Sequence, residues 1–207
     1  MHCCLFFAVS LVSCVHVVKP QEPKTPDDFL QYFCQLHLDP NTAHKNLKLS
    51  EENRKISYSD VVQQYPDHPE RFDKSTYILC REGLYGRCYW EVECSGEDWA
   101  VAVCYKGFSR KGNSGACKLG YNKISWRLSH NRFIHDKKQV SIPALPSSRI
   151  GVYLDHKAGT LCFYSVSDTM TLLHRVQTTF TEALFPAFYT YLNSSVRIIE
   201  QSRRELR

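Results

Sequence analysis

No nucleotide, metal or hydrolase signature runs through this chain. It contains no Gly-x-Gly-x-x-Gly, no Gly-x-x-x-x-Gly-Lys-Ser/Thr and no His-Glu-x-x-His. Their absence removes the dinucleotide-binding turn, the phosphate loop and the helical zinc-protease site from consideration. There is no Cys-x-x-Cys either. His130 and His135 are spaced like half of a zinc site, but the cysteine half is missing, so no metal or other cofactor is expected. Gly112-Asn113-Ser114-Gly115 superficially resembles a serine nucleophile turn. It lies in a basic, glycine-rich stretch without the strand–turn–helix setting that exposes such a serine. Glu91 and Glu93, two apart on a strand, read as a solubilising face and not as an acid–base pair. The chain is therefore expected not to be an enzyme.

One apolar run stands apart. Residues 3–18 contain no Lys, Arg, Asp or Glu. That length suits a signal-peptide hydrophobic region and is short for a membrane span. Two readings compete: a genuine signal peptide, giving a secreted domain, or a mispredicted start placed upstream of a domain from a longer protein. No membrane association is expected unless this leader is a real anchor. Residues 19–24 read as a linker, with two prolines and three charges.

Of the ten cysteines, Cys3, Cys4 and Cys14 lie in the leader. The remaining seven cannot all pair internally. Cys88, Cys94, Cys104 and Cys162 fall in strand-like runs, where a free cysteine behaves as a small buried apolar residue. A reducing compartment follows, hence a cytoplasmic location, with secretion as the alternative if residues 1–18 are a signal peptide. The sequon Asn193-Ser194-Ser195 has meaning only in that alternative.

The net charge is +5, and it is unevenly spread. Between Tyr105 and Gln139 stand nine Lys or Arg and one acid, Asp136, so this segment carries +8 and the rest of the chain −3. A basic surface favours an acidic partner, although a solvated loop-rich face explains the same count.

The strands are legible by alternation. In residues 86–94, Cys88, Trp90, Val92 and Cys94 share one parity, and Tyr89, Glu91 and Glu93 the other. Period two places the first set inside and the second in solvent. Short strands of this kind recur, with Gly and Pro between them: 36–38, 47–49, 56–58, 77–80, 87–94, 99–105, 125–128, 132–134, 140–142, 150–154, 160–165, 174–178, 185–191 and 196–200. Thr25-Pro26-Asp27-Asp28 opens a short helix whose Phe29, Leu30 and Phe33 form an apolar stripe. Asp155–Gly159 forms a tight hairpin, and Lys106–Gly120, with four glycines, reads as a long mobile loop. The expected fold class is all-β: a sandwich of two antiparallel sheets, about thirteen short strands, with a short N-terminal helix. Trp90, Trp99, Trp126 and Phe163 are assigned to its core.

Gly86-Arg87-Cys88-Tyr89-Trp90-Glu91-Val92-Glu93 resembles the signature strand of PRY–SPRY domains. Leu38-Asp39-Pro40, Val152-Tyr153-Leu154-Asp155 through Gly159-Thr160-Leu161-Cys162-Phe163-Tyr164, and Phe180-Thr181-Glu182 through Phe188 resemble three further motifs, in the family's order. Cys88 and His156 depart from it, standing where His and Tyr are frequent. The resemblance implies one PRY–SPRY domain over residues 25–202, the PRY part about 25–76 and the SPRY part about 77–202, with residues 203–207 as a tail. It also implies a protein or peptide ligand held by variable loops at one edge of the sandwich. Such domains occur in tripartite-motif ubiquitin ligases, in fish innate sensors and in stonustoxin-type toxins, so innate-immune or ligase-type settings are implied. The zinc modules and coiled coil of the ligases have no counterpart in the sequence. The candidate loops are 63–73, 106–120, 129–138 and 189–195. Within them Tyr65, Phe72, Phe108, Arg132, Phe133, Tyr189 and Tyr191 are the candidate partner-binding residues, because aromatic and Arg side chains dominate binding energy. Two alternatives stay open: RNA binding by the basic, aromatic-rich 105–139 segment, with nucleic acid the weaker expectation, and a secreted toxin-like or lectin-like domain.

Overall fold

A computed structural model describes residues 23–143 and 147–201. The leader, most of the proposed linker and the tail lie outside them. The described residues form thirteen strands in two antiparallel sheets, with one short helix. In chain order the strands are β1 (Leu47–Ser50), β2 (Lys55–Tyr58), β3 (Tyr77–Leu79), β4 (Arg87–Ser95), β5 (Trp99–Tyr105), β6 (Ser125–Ser129), β7 (Arg132–His135), β8 (Lys138–Ser141), β9 (Arg149–Asp155), β10 (Thr160–Val166), β11 (Met170–Gln177), β12 (Leu184–Thr190) and β13 (Ser195–Ile198). The larger sheet runs β1-β2-β13-β4-β9-β10-β11 and the smaller β3-β12-β5-β6-β7-β8. Among the described residues, no helix is long and apolar enough to cross a membrane.

The core lies between the sheets. Trp90, Trp99, Val101, Val103, Trp126, Leu128, Phe163 and Phe188 meet there, and the four aromatic core assignments hold. The carboxylates of β4 are not merely solvated. Glu93 pairs with Arg197 directly across the ladder to β13, and Glu91 Oε2 lies 3.2 Å from Arg149.

Each sheet is also covered on part of its outer face, and that produces the departures from simple alternation. On the larger sheet the cover is α1 (Pro26–Leu30). Thr25 accepts from the Asp28 backbone N–H, and the Asp28 carboxylate accepts from the Thr25 N–H, which closes a capping box. Five residues cannot sustain a helix alone. Phe29 anchors it, with its ring 5.1 Å from Tyr89, 5.4 Å from Tyr153 and 5.1 Å from Tyr164. Tyr89, expected in solvent, is therefore buried, 1% exposed, and its hydroxyl donates to Glu91 at 2.7 Å. The same approach of chain to β4, with Phe33 bridged to Tyr89, sets the Cys34 and Cys88 Cα atoms 5.6 Å apart. Those two cysteines form a disulfide. The expectation that Cys88 is a free thiol is corrected: the strand buries it, and the segment below the helix brings its partner. Cys80, Cys94, Cys104, Cys117 and Cys162 are free and buried.

Loops cover the smaller sheet. Phe72, Phe108 and Leu119 lie over Tyr77, Leu79, Ala102, Cys104 and Ala187 on its outer face. This is why every residue of β5 is buried. The Lys106–Gly120 segment is fastened, not a free loop. Arg110 pairs with Glu70 at 3.2 Å, Lys111 donates to the Arg71 carbonyl at 2.6 Å, and the Gly112 N–H donates to Asp73 at 3.0 Å.

Smaller differences have local causes. Leu36 and Leu38 are buried, but only Leu38 pairs, through one bridge to Cys80, so the expected 36–38 strand is absent. Strand β11 starts at Met170, four residues before the expected 174, and carries a bulge against β10. The β7–β8 turn places Asp136 (φ 48°) and Lys137 (φ 67°) in the left-handed region, as a two-residue hairpin requires. Gly159, at φ 70°, closes the β9–β10 hairpin.

Candidate functional site

On the outer face of the smaller sheet the alternation of Ser125-Trp126-Arg127-Leu128-Ser129 sends Trp126 inward and Arg127 outward. On β12, two strands away across β5, Phe188 points inward and Tyr189 outward. The Arg127 guanidinium sits over the Tyr189 ring, 5.1 Å from its centroid. Tyr189 also packs edge-on to Tyr77 at 5.6 Å and donates to Asp98 at 3.4 Å. Burial, followed by the Asp98 charge, pushes the Tyr189 phenol up to about 12. It is neutral and a donor at any physiological pH.

Around this pair the surface is indented. A depression of about 250 Å³ is lined by Lys74, Ser75, Thr76, Tyr77, Lys118, Arg127, Tyr189 and Tyr191. Arg127 also lines a neighbouring depression of about 290 Å³ with Glu97, Asp98, Tyr121 and Arg132. On the other side, next in sequence to Lys74, a cleft of about 590 Å³ opens between His44–Asn46, Asp67–Asp73 and Lys111. Burial lowers the pKa of His44 in its wall, so that imidazole favours the neutral form.

The cleft has a rigid wall because of Arg71. This side chain is 4% exposed, yet it makes no ion pair among the described residues. It donates to the carbonyls of Pro40 (2.8 Å), Ala43 (2.7 Å) and Pro66 (2.7 and 3.1 Å), and stacks on Tyr65 at 5.1 Å. A planar fork with five donors can satisfy several carbonyls at once, as lysine cannot. Tyr65 in turn donates to the Leu47 carbonyl at 2.8 Å. The 63–73 loop is thus tied to the Leu38-Asp39-Pro40 segment and to β1.

The seven candidate residues divide accordingly. Tyr189 and Tyr191 come together at the Arg127 depression, and Arg132 lies exposed in the next one. Tyr65 is half-buried in the clamped loop. Phe72 (2% exposed), Phe108 (2%) and Phe133 (5%) are not the exposed anchors they were expected to be. Phe72 and Phe108 hold their loops down on the sheet. Phe133 sits opposite Leu128 on the inner face and stacks on His174 at 3.8 Å. Residues not singled out from sequence are Arg71, Lys74, Lys118, Arg127 and Tyr58, whose ring lies 4.5 Å from Tyr191. For Arg127 the signal was present in the β6 alternation. No group of three or more His, Cys, Asp or Glu suited to a metal occurs among the described residues.

Comparison with known proteins gives the family. The model of PRY, the SPRY-associated domain, matches residues 36–84, and that of the SPRY domain matches residues 87–203. Mouse tripartite motif-containing protein 16 is 36% identical over 187 residues, covering 86% of this chain and 34% of that protein. Stonustoxin subunit beta of Synanceia horrida is 42% identical over 165 residues, covering 76% of this chain and 23% of the toxin subunit. The chain thus spans about a third or less of these relatives. Among solved structures, the TRIM65 PSpry domain superposes with a TM-score of 0.78 at 22% identity, covering 87% of this chain and all of that one, which supports the fold alone.

Proposed function

Because the chain belongs to the PRY–SPRY family, we propose that it works as a protein-recognition module, non-catalytic by itself, which binds through the outer face of its smaller sheet. The observation that carries this reading is the convergence of Arg127, Tyr189 and Tyr191 between two loops that are clamped in place. Aromatic and arginine side chains on a preformed surface are what protein interfaces rely on, since little ordering is left to be done on binding. The setting we propose is that of the tripartite-motif relatives, in innate-immune or ligase-type recognition. Activities named for the longer relatives belong to those proteins.

The test is site-specific photo-cross-linking in cells, with the reactive residue placed at Tyr191 or, as a control, at Leu172 on β11. Leu172 is also exposed but belongs to the other sheet. A discrete protein adduct from position 191, lost in Tyr189→Ala and absent from position 172, is expected. Adducts from 172 only would remove the face from consideration.

One observation favours the secreted alternative for the place of work: the Cys34–Cys88 disulfide, a bond typical of oxidising compartments. The five buried thiols support the cytoplasmic reading. Non-reducing mass analysis of the native protein decides between them, because an unbridged pair accompanies a reducing compartment.

A further inference from the structure

Resting on the protein-recognition reading, we infer that the partner presents an acidic side chain, Asp or Glu, which enters the depression at Arg127 and pairs with its guanidinium. The arginines of this domain supply the argument. Among the described residues, every other buried or half-buried arginine has an acceptor. Arg54 pairs with Glu200, Arg87 with Asp155, Arg110 with Glu70 and Arg197 with Glu93. Arg71 takes backbone carbonyls. Arg127 alone has none among these residues: its Nε is buried without a partner, as is that of Arg110, but its guanidinium also lacks any ion pair or carbonyl and only packs over the Tyr189 ring.

The surroundings fit a carboxylate. Lys74, Lys118 and Arg127 line the depression, and among the described residues no acid lines it and none of the three cations is ion-paired. Glu97 and Asp98 share the neighbouring depression with Arg127 without pairing with it, and Asp98 is engaged by the Tyr189 hydroxyl. A guanidinium already partly out of water and held in orientation by a ring gains a charge-assisted bond with little further ordering cost. The lysines add attraction during encounter. The same geometry weighs against RNA. Single-stranded nucleic acid needs open aromatic faces for stacking, and Tyr105, Phe108, Trp126 and Phe133 of the basic segment are buried. The 250 Å³ volume is that of a side-chain pocket.

The experiment is selection of a random peptide display library, unbiased in acid content, on the full chain. It is followed by titration of the recovered peptides against the wild type, Arg127→Gln, Arg127→Lys and Tyr191→Ala. Enrichment of Asp or Glu is expected, together with at least about tenfold weaker binding to Arg127→Gln. Replacing the peptide's acid by its amide should produce the same loss, and combining both changes should add little more. Since Arg127 makes no ion pair among the described residues and would lose only its contact with the Tyr189 ring, Arg127→Gln should stay cooperatively folded, its thermal midpoint lowered by no more than about 4 °C. If it does not fold, Arg127→Lys with Lys118→Gln carries the titration and should show the same loss. Peptides without acids that need Tyr191 but ignore Arg127→Gln would leave the recognition face standing and overturn the acidic inference. Peptides indifferent to every substitution would overturn the face itself, and an empty selection counts the same way. Oligouridine or phosphoserine peptides binding more tightly than the acidic peptides would also overturn the inference.

Discussion

Trp90 offers a test of how the core is built. Its ring lies between the sheets with 0% exposure, paired across the ladder with Val152. Its indole N–H has no partner among the described residues. Two opposing contributions follow. Truncation to alanine removes the whole ring and leaves a cavity, at a cost of about 3–5 kcal/mol. The unpartnered N–H is itself unfavourable, by about 1–3 kcal/mol for a buried donor. Trp90→Phe discards that donor while keeping one ring, so its loss should be less than half that of Trp90→Ala. In a domain of this size, 3–5 kcal/mol corresponds to a thermal midpoint lowered by roughly 6–20 °C. It is also a large part of a total stability of roughly 5–15 kcal/mol. Urea denaturation followed by far-UV circular dichroism reads both variants without depending on tryptophan emission. An unchanged midpoint for Trp90→Ala would refute the core assignment. Equal losses for the two variants would show that the N–H is bonded after all.

Reducing the Cys34–Cys88 bond opens a loop of 54 residues' separation, for which chain entropy gives at most about 4 kcal/mol. The domain should stay cooperatively folded in reductant with a lower urea midpoint, and coincident curves with and without reductant would contradict this. Gly159→Ala should destabilise by more than about 1 kcal/mol, because its φ is positive and the added methyl meets the Thr178 carbonyl. A melting temperature equal to wild type would refute it. Burial lowers the pKa of both His44 and His174. The unfolded chain therefore protonates first, and their contribution is complete above about pH 6.5 and lost as pH falls below it. The pKa of Glu93 is lowered mainly by its Arg197 hydrogen bond, so its contribution is present above about pH 4.3 and lost on further acidification. Urea midpoints should decline from pH 7 to 5 and again below pH 4.5. His174→Leu should flatten the first decline, and an unchanged slope in that variant would count against the assignment.

What alternation could reveal was legible, and what depended on a second layer was not. The inward sets of β4, β5 and β6 follow from period two, and so does the outward direction of Arg127. Tyr89 breaks the pattern only because α1, more than fifty residues earlier in the chain, lays Phe29 on it. Phe72 and Phe108 are loop aromatics, and nothing local says whether a loop folds back over its sheet. That depends on Arg71 and Arg110, which, besides local carbonyls, reach Pro40 and Glu70, both distant in sequence. Spacing alone could not pair Cys34 with Cys88. Asp136-Lys137 lacks the Asn-Gly or Asp-Gly chemistry that would have announced its turn.

On the proposed reading, the two uses of arginine on this face would make it both rigid and receptive. Arg71 and Arg110 spend their donors inside the molecule, on carbonyls and on Glu70, and so hold the 63–73 and 106–120 loops against the outer face of the smaller sheet. With Phe72 and Phe108 turned under these loops, the walls of the depressions exist before any ligand arrives. Arg127 is set between those walls by the strand itself, and its orientation comes from a ring, not from an acid. Had Arg127 been paired internally like its neighbours, the face would be equally rigid but would have nothing unsatisfied to offer. Had the clamping arginines been free, any partner would have to order the loops on binding, at about 0.5–1.5 kcal/mol for each side chain immobilised. On the proposed reading, recognition at this surface would draw on Arg127, a guanidinium held by the Tyr189 ring and without an ion pair among the described residues.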